Sequence, residues 1–373
     1  MNKKVIQHPA IQTTILVSIT FVFLLVLSVL PTLKTDWLDA EKMLREHVQF
    51  SDLYFRFHSH RDISGEEPHV IIVDISHYQS REELTCLFNQ LADAQPFMVA
   101  MDVIFGNTAI PDTVVNNRLV ESIRRLPNLV LATEMCGSDE ALELRHSFFI
   151  HELQATEALA NLPKSIIRTW KASEQIGDSL YPTFAAVIAQ KMGMFISEGK
   201  REWLIDYSIQ DTVVLRPHLH PLNPDFLRNQ VIIVGDLEDL RDTRIVPLTF
   251  HADTRTTGVR VHKQIVQTIR AQRWFKRVPK VWEWIITYIF LWLIMFTETV
   301  LTPKIEKRTK WTQKRIKNIN KFSILCLLVL VCYCLFWWTS WYLNPIDTIL
   351  AIAMIWFGQW AVDLYKNRKS VRK

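Results

Sequence analysis

His69-Val70-Ile71-Ile72-Val73-Asp74-Ile75 is the stretch on which the fold turns. It is an unbroken apolar run of strand length, rich in β-branched side chains, preceded by Pro68 and carrying a carboxylate near its end. A strand with one wetted face alternates apolar and polar residues; this one does not, so it predicts a strand covered on both faces. Working outward, Glu82 to Ala94 (EELTCLFNQLADA) has helical periodicity, and Phe97-Met98-Val99-Ala100-Met101-Asp102-Val103 is a second buried strand. Asn117 to Arg125 is helical, and Asn128-Leu129-Val130-Leu131-Ala132-Thr133 is a third strand. Strands of this kind alternating with helices predict an α/β domain whose mostly parallel sheet is covered by helices. Gly137 to Ser165 has no clear period and reads as an insertion. Beyond it, Leu180 to Met192 reads as a helix, Asp211 to Leu215 and Val231 to Gly235 as strands, and Gly258 to Ala271 as a helix.

The domain is flanked by runs of another kind. Ile11 to Leu30 carries no charge and has the length that crosses a hydrocarbon core, and it lacks the short apolar region and small-residue cleavage site of a secretory signal. Further apolar runs at 281–300, 322–338 and 346–364 complete an expectation of four transmembrane α-helices, one before the domain and three after it. Residues 303–321 and 365–373 are short and strongly basic, and Lys3 and Lys4 lie in residues 1–10, before the first run. The positive-inside rule then places all three in the cytoplasm and residues 34–279 outside it. Trp282, Trp284, Trp337, Trp338, Trp341 and Tyr342 gather toward one set of ends, as an interfacial belt does. Glu283, Glu298 and Asp363 fall near span ends, where snorkelling to the interface is expected. Trp37 to Phe57 reads as an amphipathic helix joining the first span to the domain, either transmitting movement or packing passively.

Composition excludes several function classes. The net charge of +5 in 373 residues comes from the segments beside the spans, not from a domain-wide basic stripe, so no nucleic-acid partner is expected. The basic 304–321 segment either fixes orientation against anionic lipid or docks an acidic partner. With 9 glycines in the chain, and without a nucleophile elbow, phosphate-cradling loop or zinc-protease helix, no catalytic residue and no cofactor is expected. His58/His60 and His218/His220 have the spacing that puts two imidazoles on one face of a strand, but no further ligand accompanies them, so no metal site is expected. Cys86 and Cys136 pair only if an oxidising compartment and their separation both allow it.

The carboxylates hold more interest. Asp74, Asp102 and Asp236 each fall at or just beyond the end of an apolar strand, and strand carboxyl ends line the crevice in which open parallel sheets bind ligands. The plainer reading is that each satisfies loop amides or caps a helix.

Several segments together resemble the type-two CHASE domain. They are Asp52-Leu53-Tyr54-Phe55-Arg56-Phe57, VIIVDIS with Asp74, VAMDVIF with Asp102 and Phe105, and LYPTFAAVIAQ with Pro182. They continue with QVIIVGD with Gly235, then Asp242 and Pro247, and TGVRVHKQIVQTI with Gly258 and His262. The resemblance, which extends to the three trailing spans, implies an extracytoplasmic sensor in a bacterial inner membrane. It adds Phe105 and Asp242 to the ligand-binding candidates Asp74, Asp102 and Asp236. Members of that family commonly continue into a cytoplasmic kinase or cyclase. This sequence ends at Lys373, so the expected output runs through a membrane or cytoplasmic effector in trans or through a homo-oligomer, in response to an external ligand or protein. The alternative is a structural docking subunit of an envelope complex.

Overall fold

The computed structural model describes residues 68–343 apart from 107–112, 139–140, 154, 164, 197–201, 211–212, 248–254 and 309–311, together with 14, 17, 18, 52, 55, 61, 62, 348, 349 and 352. The proposed linking helix, the first and fourth spans and the basic tail lie wholly or almost wholly outside the described residues. Two compact units emerge, one of residues Phe55–Phe275 and one of Met1–Tyr54 with Lys276–Lys373.

In the first unit, β1 (Val70–Asp74) buries all five of its residues. Its side chains leave alternately, Val70 and Ile72 to one face and Ile71 and Val73 to the other, so both faces need a covering layer. The helix α1 (Arg81–Asp93) covers the second face with Leu87, Phe88 and Leu91. Its start is fixed by a capping box: Ser80 Oγ accepts from Glu83 N at 3.2 Å while Glu83 Oε2 accepts from Ser80 N at 3.2 Å. Then follow β2 (Met98–Met101), α2 (Thr113–Arg124) and β3 (Val130–Ser138). The crossovers β1–α1–β2 and β2–α2–β3 move the same way across the sheet, so right-handed connection puts α1 and α2 on the same face.

Residues 137–165, expected as an insertion, instead belong to the sheet. The far end of β3 turns back as the antiparallel β4 (Ala141–Arg145), and β5 (Thr156–Leu159) runs parallel to the first half of β3. Neither has the apolar run of a central strand; edge pairing with β3, not burial, makes them strands. The expected helix at 180–192 begins later, as α3 (Phe184–Lys191), because Ser179–Pro182 pairs with Ser173–Ile176 in a hairpin. Two strands close the sheet on its other side, β6 (Val214–Leu215) and β7 (Val231–Gly235), giving the order β6-β1-β7-β2-β3-β5, all parallel. The late strand β7 is thus the centre of the sheet, paired Val231↔Val70 on one side and Val231↔Met98 on the other.

After β7, a short antiparallel pair, β8 (Thr243–Ile245) and β9 (Arg255–Thr257), leads into α4 (Gly258–Arg270). With α3, this helix covers the first face through Val259, Val261, Ile265, Val266 and Ile269. At one point helix and sheet touch backbone to side chain: a Cβ built on Gly235 would lie 2.8 Å from Val259 Cγ2. The ends of this unit meet as well, with the Phe55 and Phe275 rings edge to face at 5.7 Å.

In the second unit, α5 (Lys280–Phe296) runs through a π-helical turn at Thr297–Leu301 into Thr302–Arg308, and α6 (Gln313–Thr339) follows. Lys280–Arg308 and Arg315–Phe336 are long and apolar enough to cross a membrane. Within the basic segment expected as a loop at 303–321, helix extends to Arg308 and resumes at Gln313 after Thr312, which is extended as the N-cap of α6. Glu283 and Glu298 do not snorkel as expected. Both are buried, Glu283 beside Arg277 at 3.4 Å and Glu298 beside Lys321 at 3.3 Å.

The Gly235–Val259 contact yields a test. Gly235→Ala adds a methyl where none fits, and overpacking of this kind costs about 1–3 kcal/mol. Thermal unfolding of the full chain in detergent should show a lowered Tm, and Gly235→Ala with Val259→Ala should recover much of it.

Candidate functional site

Register brings the strand ends together: Asp74 stands opposite Gly235, and Met101 opposite Val234. The residues just beyond those ends, Asp102, Asp236 and their neighbours, therefore crowd one edge of the sheet.

Asp74 is fully buried and works as a clamp. Its Oδ1 accepts from Ser76 N at 3.0 Å and Leu237 N at 3.3 Å, and Oδ2 faces Arg216 Nε at 3.4 Å, 45% of whose side chain is exposed. It thereby ties the loops after β1, β7 and β6 to one another. Asp236 closes its own loop by accepting from Glu238 N at 2.7 Å. Phe105 does not line this edge. It packs in the core under α1, against Phe88 and Phe149, with its amide donating to Ser147 Oγ at 3.1 Å.

A second group gathers at the start of α4. Asp242 Oδ2 accepts from Gly258 N at 2.7 Å, and Oδ1 takes Arg244 Nη2 at 2.8 Å. Thr257, at the N-cap, makes no side-chain capping bond, so the carboxylate of Asp242 supplies an acceptor from outside the helix. Gly258 makes this possible: a Cβ there would sit 2.5 Å from Asp242 Oδ2. Asp102 lies within electrostatic reach of both Asp242 and Arg244, and burial pushes its carboxyl up to about 7 against the opposing pull of Arg244. Asp242 is raised too, by burial first and by the Asp102 charge second. One turn into α4, His262 is buried against Phe184, with Nε2 at 3.1 Å from the carbonyl oxygen of Ala160. Burial pushes its imidazole down to about 4, so it is neutral at pH 7 and its Nε2–H donates to that carbonyl.

Of the five candidates, Asp74 and Asp236 flank β7 on one side, Asp102 and Asp242 come together on the other, and Phe105 stands apart. Arg244, which pairs with Asp242, and Arg216, which faces Asp74, were not candidates. Asp242 ends the short helical turn before β8, on which Arg244 lies, so no strand spacing marked Arg244 in the sequence.

Of the two histidine pairs, His218/His220 lies among the described residues. His218 lies in a turn rather than on a strand, with its ring edge to face on His77 at 4.0 Å, and His220 is exposed in the same turn; His58 and His60 lie outside the described residues. Among the described residues, no group of three or more His, Cys, Asp or Glu side chains is placed to hold a metal ion. Cys86 and Cys136 are both free.

A mostly parallel sheet covered on both faces is thus followed in the chain by two helices long and apolar enough to cross a membrane. The family model described as the CHASE2 domain matches residues 19–297. That is about three quarters of the chain, and the protein belongs to this family of extracytoplasmic sensor domains. Neither the curated proteins nor the solved structures supplied a match.

The two shifted groups make opposing demands on stability. Asp102 ionises near 7 in the folded domain and near its ordinary 3.8 when unfolded, so its contribution is whole at low pH and is lost as pH rises through about 7. His262 ionises near 4 folded and near its ordinary 6.5 unfolded, so its contribution is whole above about 6.5 and is lost as pH falls through about 4. Over the shared window the slopes oppose. Relative to the parent, Asp102→Asn should gain Tm as pH rises from about 4 to 6.5, and His262→Gln should lose it. Melting curves of the full chain in detergent at four pH values decide this, and parallel profiles for all three proteins would contradict it.

Proposed function

We propose that this protein is a membrane-anchored extracytoplasmic sensor that passes its signal, without catalysis of its own, to a separate partner protein through its spans. The observation that carries this reading is the course of α4. Its first turn is held by Asp242 at the strand-end crevice. Its last turn lies at the opposite end of the domain, where Arg270 Nη1 donates to the Pro68 carbonyl at 2.8 Å and Arg273 Nη1 pairs with the buried Asp206 at 2.6 Å. Phe55 and Phe275, the ends of the domain, are in contact with each other. One rigid helix of 13 residues, about 20 Å long, thus joins the crevice to the segments that lead into and out of the domain. A change that favours a different seat for α4 biases both chain ends together.

The membrane arrangement that suits this role has four spans, with the domain outside and the basic segments inside. It is supported by the basic residues at 304–321 and by polar contacts in the membrane unit: Ser18 Oγ with Tyr288 Oη at 3.1 Å, Trp292 Nε1 donating to Thr14 Oγ1 at 3.1 Å, and Thr287 with Thr348 at 2.8 Å. The setting is a bacterial inner membrane. A small-molecule ligand meets the strand-end carboxylates Asp102, Asp236 and Asp242, with the buried Asp74 holding the loops around them.

Topology is read by cysteine labelling. In spheroplasts, a membrane-impermeant maleimide should label Cys86, which is exposed, whereas a Lys304→Cys variant should label at residue 304 only after permeabilisation. Labelling at 304 from outside would sink the arrangement. The partner is sought by crosslinking in native membranes, affinity purification and mass spectrometry. Reproducible recovery of a kinase, cyclase or other effector supports sensing in trans. Recovery of envelope structural proteins in fixed ratio overturns it in favour of a docking subunit.

A further inference from the structure

We infer that the π-helical turn at Thr297–Leu301 is a register element with two settings, held in the one seen here by the ion pair between Glu298 and Lys321. Releasing the pair lets the turn wind into α-helix and rotates Thr302–Arg308 against the rest of α5. This deepens the sensor reading, on which it rests, by naming the part of a span that turns toward the effector.

The buried residues of α5 show what the turn accomplishes. Glu283, Thr287, Phe290, Leu291 and Ile294 form one stripe, and beyond it Glu298 and Thr302 are buried as well. Ile294, Glu298 and Thr302 are spaced four apart. In an α-helix a step of four overshoots one turn by about 40°, which would set Ile294 and Thr302 about 80° apart. A π-turn, with its longer i→i+5 ring, takes up the surplus and keeps all three on one side. That side meets α6: Glu298 Oε1 lies 3.3 Å from Lys321 Nζ, and Asn320 Nδ2 donates to Thr302 Oγ1 at 3.5 Å.

Threonines seal the turn. Thr302 sends both its backbone N–H and its hydroxyl, the latter at 3.1 Å, to the carbonyl of Thr297. Thr297 Oγ1 donates to the Ile294 carbonyl and Thr299 Oγ1 to the Met295 carbonyl, both at 2.8 Å. Hydroxyls of this kind satisfy backbone carbonyls where a helix departs from the α pattern. Pro303 weakens the ladder in either setting, since it has no N–H and its ring crowds the Thr299 carbonyl.

The pair tells the two settings apart. Glu298 and Lys321 keep only 6% and 15% of their side chains exposed, in helices long and apolar enough to cross a membrane, where a charge without its partner is costly. While the pair is made, Glu298 must face α6 and the π-turn is favoured. Once it is broken that demand is gone, and α-helical bonding, the commoner form, takes over. The change adds one residue of twist, about 100°, to Thr302–Arg308. The exposed Lys304, Lys307 and Arg308 turn with it.

The test is maleimide labelling of the full chain in lipid nanodiscs, with single cysteines placed at 304 to 308 in turn and each peptide read by mass spectrometry. In the parent, positions 305 and 306, which are half-buried, should be protected and 304, 307 and 308 reactive. In Glu298→Gln, which keeps the shape and removes the charge, protection should move back by one residue, to 304 and 305. Should Glu298→Gln not assemble, Lys321→Gln breaks the same pair from α6. Glu283→Gln, which alters the other buried carboxylate of α5, should leave the parent's pattern unchanged. A parent without that pattern, or a pattern that persists when the pair is broken, as it would were Pro303 alone the cause of the turn, overturns the element. So does protection lost at every position together, or a shift in Glu283→Gln as well. A moving pattern in a protein recovered only with envelope structural proteins refutes the sensor reading alone, whereas a fixed pattern in one that recovers an effector refutes the register element alone.

Discussion

Burial of β1 and β7 on both faces is the constraint from which the rest of the domain follows. Each of the ten residues of these two strands is buried, and their backbones are satisfied only because each lies between two parallel neighbours. Apolar side chains leaving both faces demand two helical layers, α1 and α2 below and α3 and α4 above. Those layers close on the sheet with mostly apolar side chains, and the carboxylates Asp74, Asp102 and Asp236 stand at its strand ends. Gly235 marks the junction of these demands. It ends the central strand, admits Val259 from above and hands the chain to Asp236.

Much of this was legible in the chain. The strands at 70–74, 98–101 and 231–235 announce themselves because they are apolar throughout, and the helix at 258–270 because its apolar face recurs at helical spacing. Less visible was whatever depends on pairing rather than burial. Thr156–Leu159 and Ala141–Arg145 carry no central-strand pattern, and only the edge of β3 makes them strands. The order of the sheet was hidden for the same reason, since no local signal places β7 between β1 and β2. In the crevice, the carboxylates could be found because strand ends can be counted. The loss of Phe105 to the core and the central position of Arg244 came only from three-dimensional packing.

The strand-end carboxylates divide into two kinds of work. Asp74 and Asp236 are consumed by the loops they close, as Asp side chains commonly are. Asp242 instead reaches from its own loop to Arg244 and to the Gly258 amide at the start of α4. The far end of α4 is built differently. There Asp206 takes Arg273, Ser208 Oγ and Ser208 N, and Gln264 donates to the carbonyls of Asp206 and Ile209. One end of the helix is held by a dense polar network and the other by a single carboxylate.

The short ribbon in the membrane unit has a mechanical meaning. Lys276–Arg277, just before α5, pairs with Trp341–Tyr342, just after α6, and Val278 N donates to the Tyr342 carbonyl at 2.9 Å. Arg277 is further pinned to Glu283 in the first turn of α5. A force arriving at residue 276 therefore cannot drive α5 alone, like a piston in a sleeve. It is shared at once with the end of α6. On the reading proposed above, any displacement of that residue reaches α5 and α6 together.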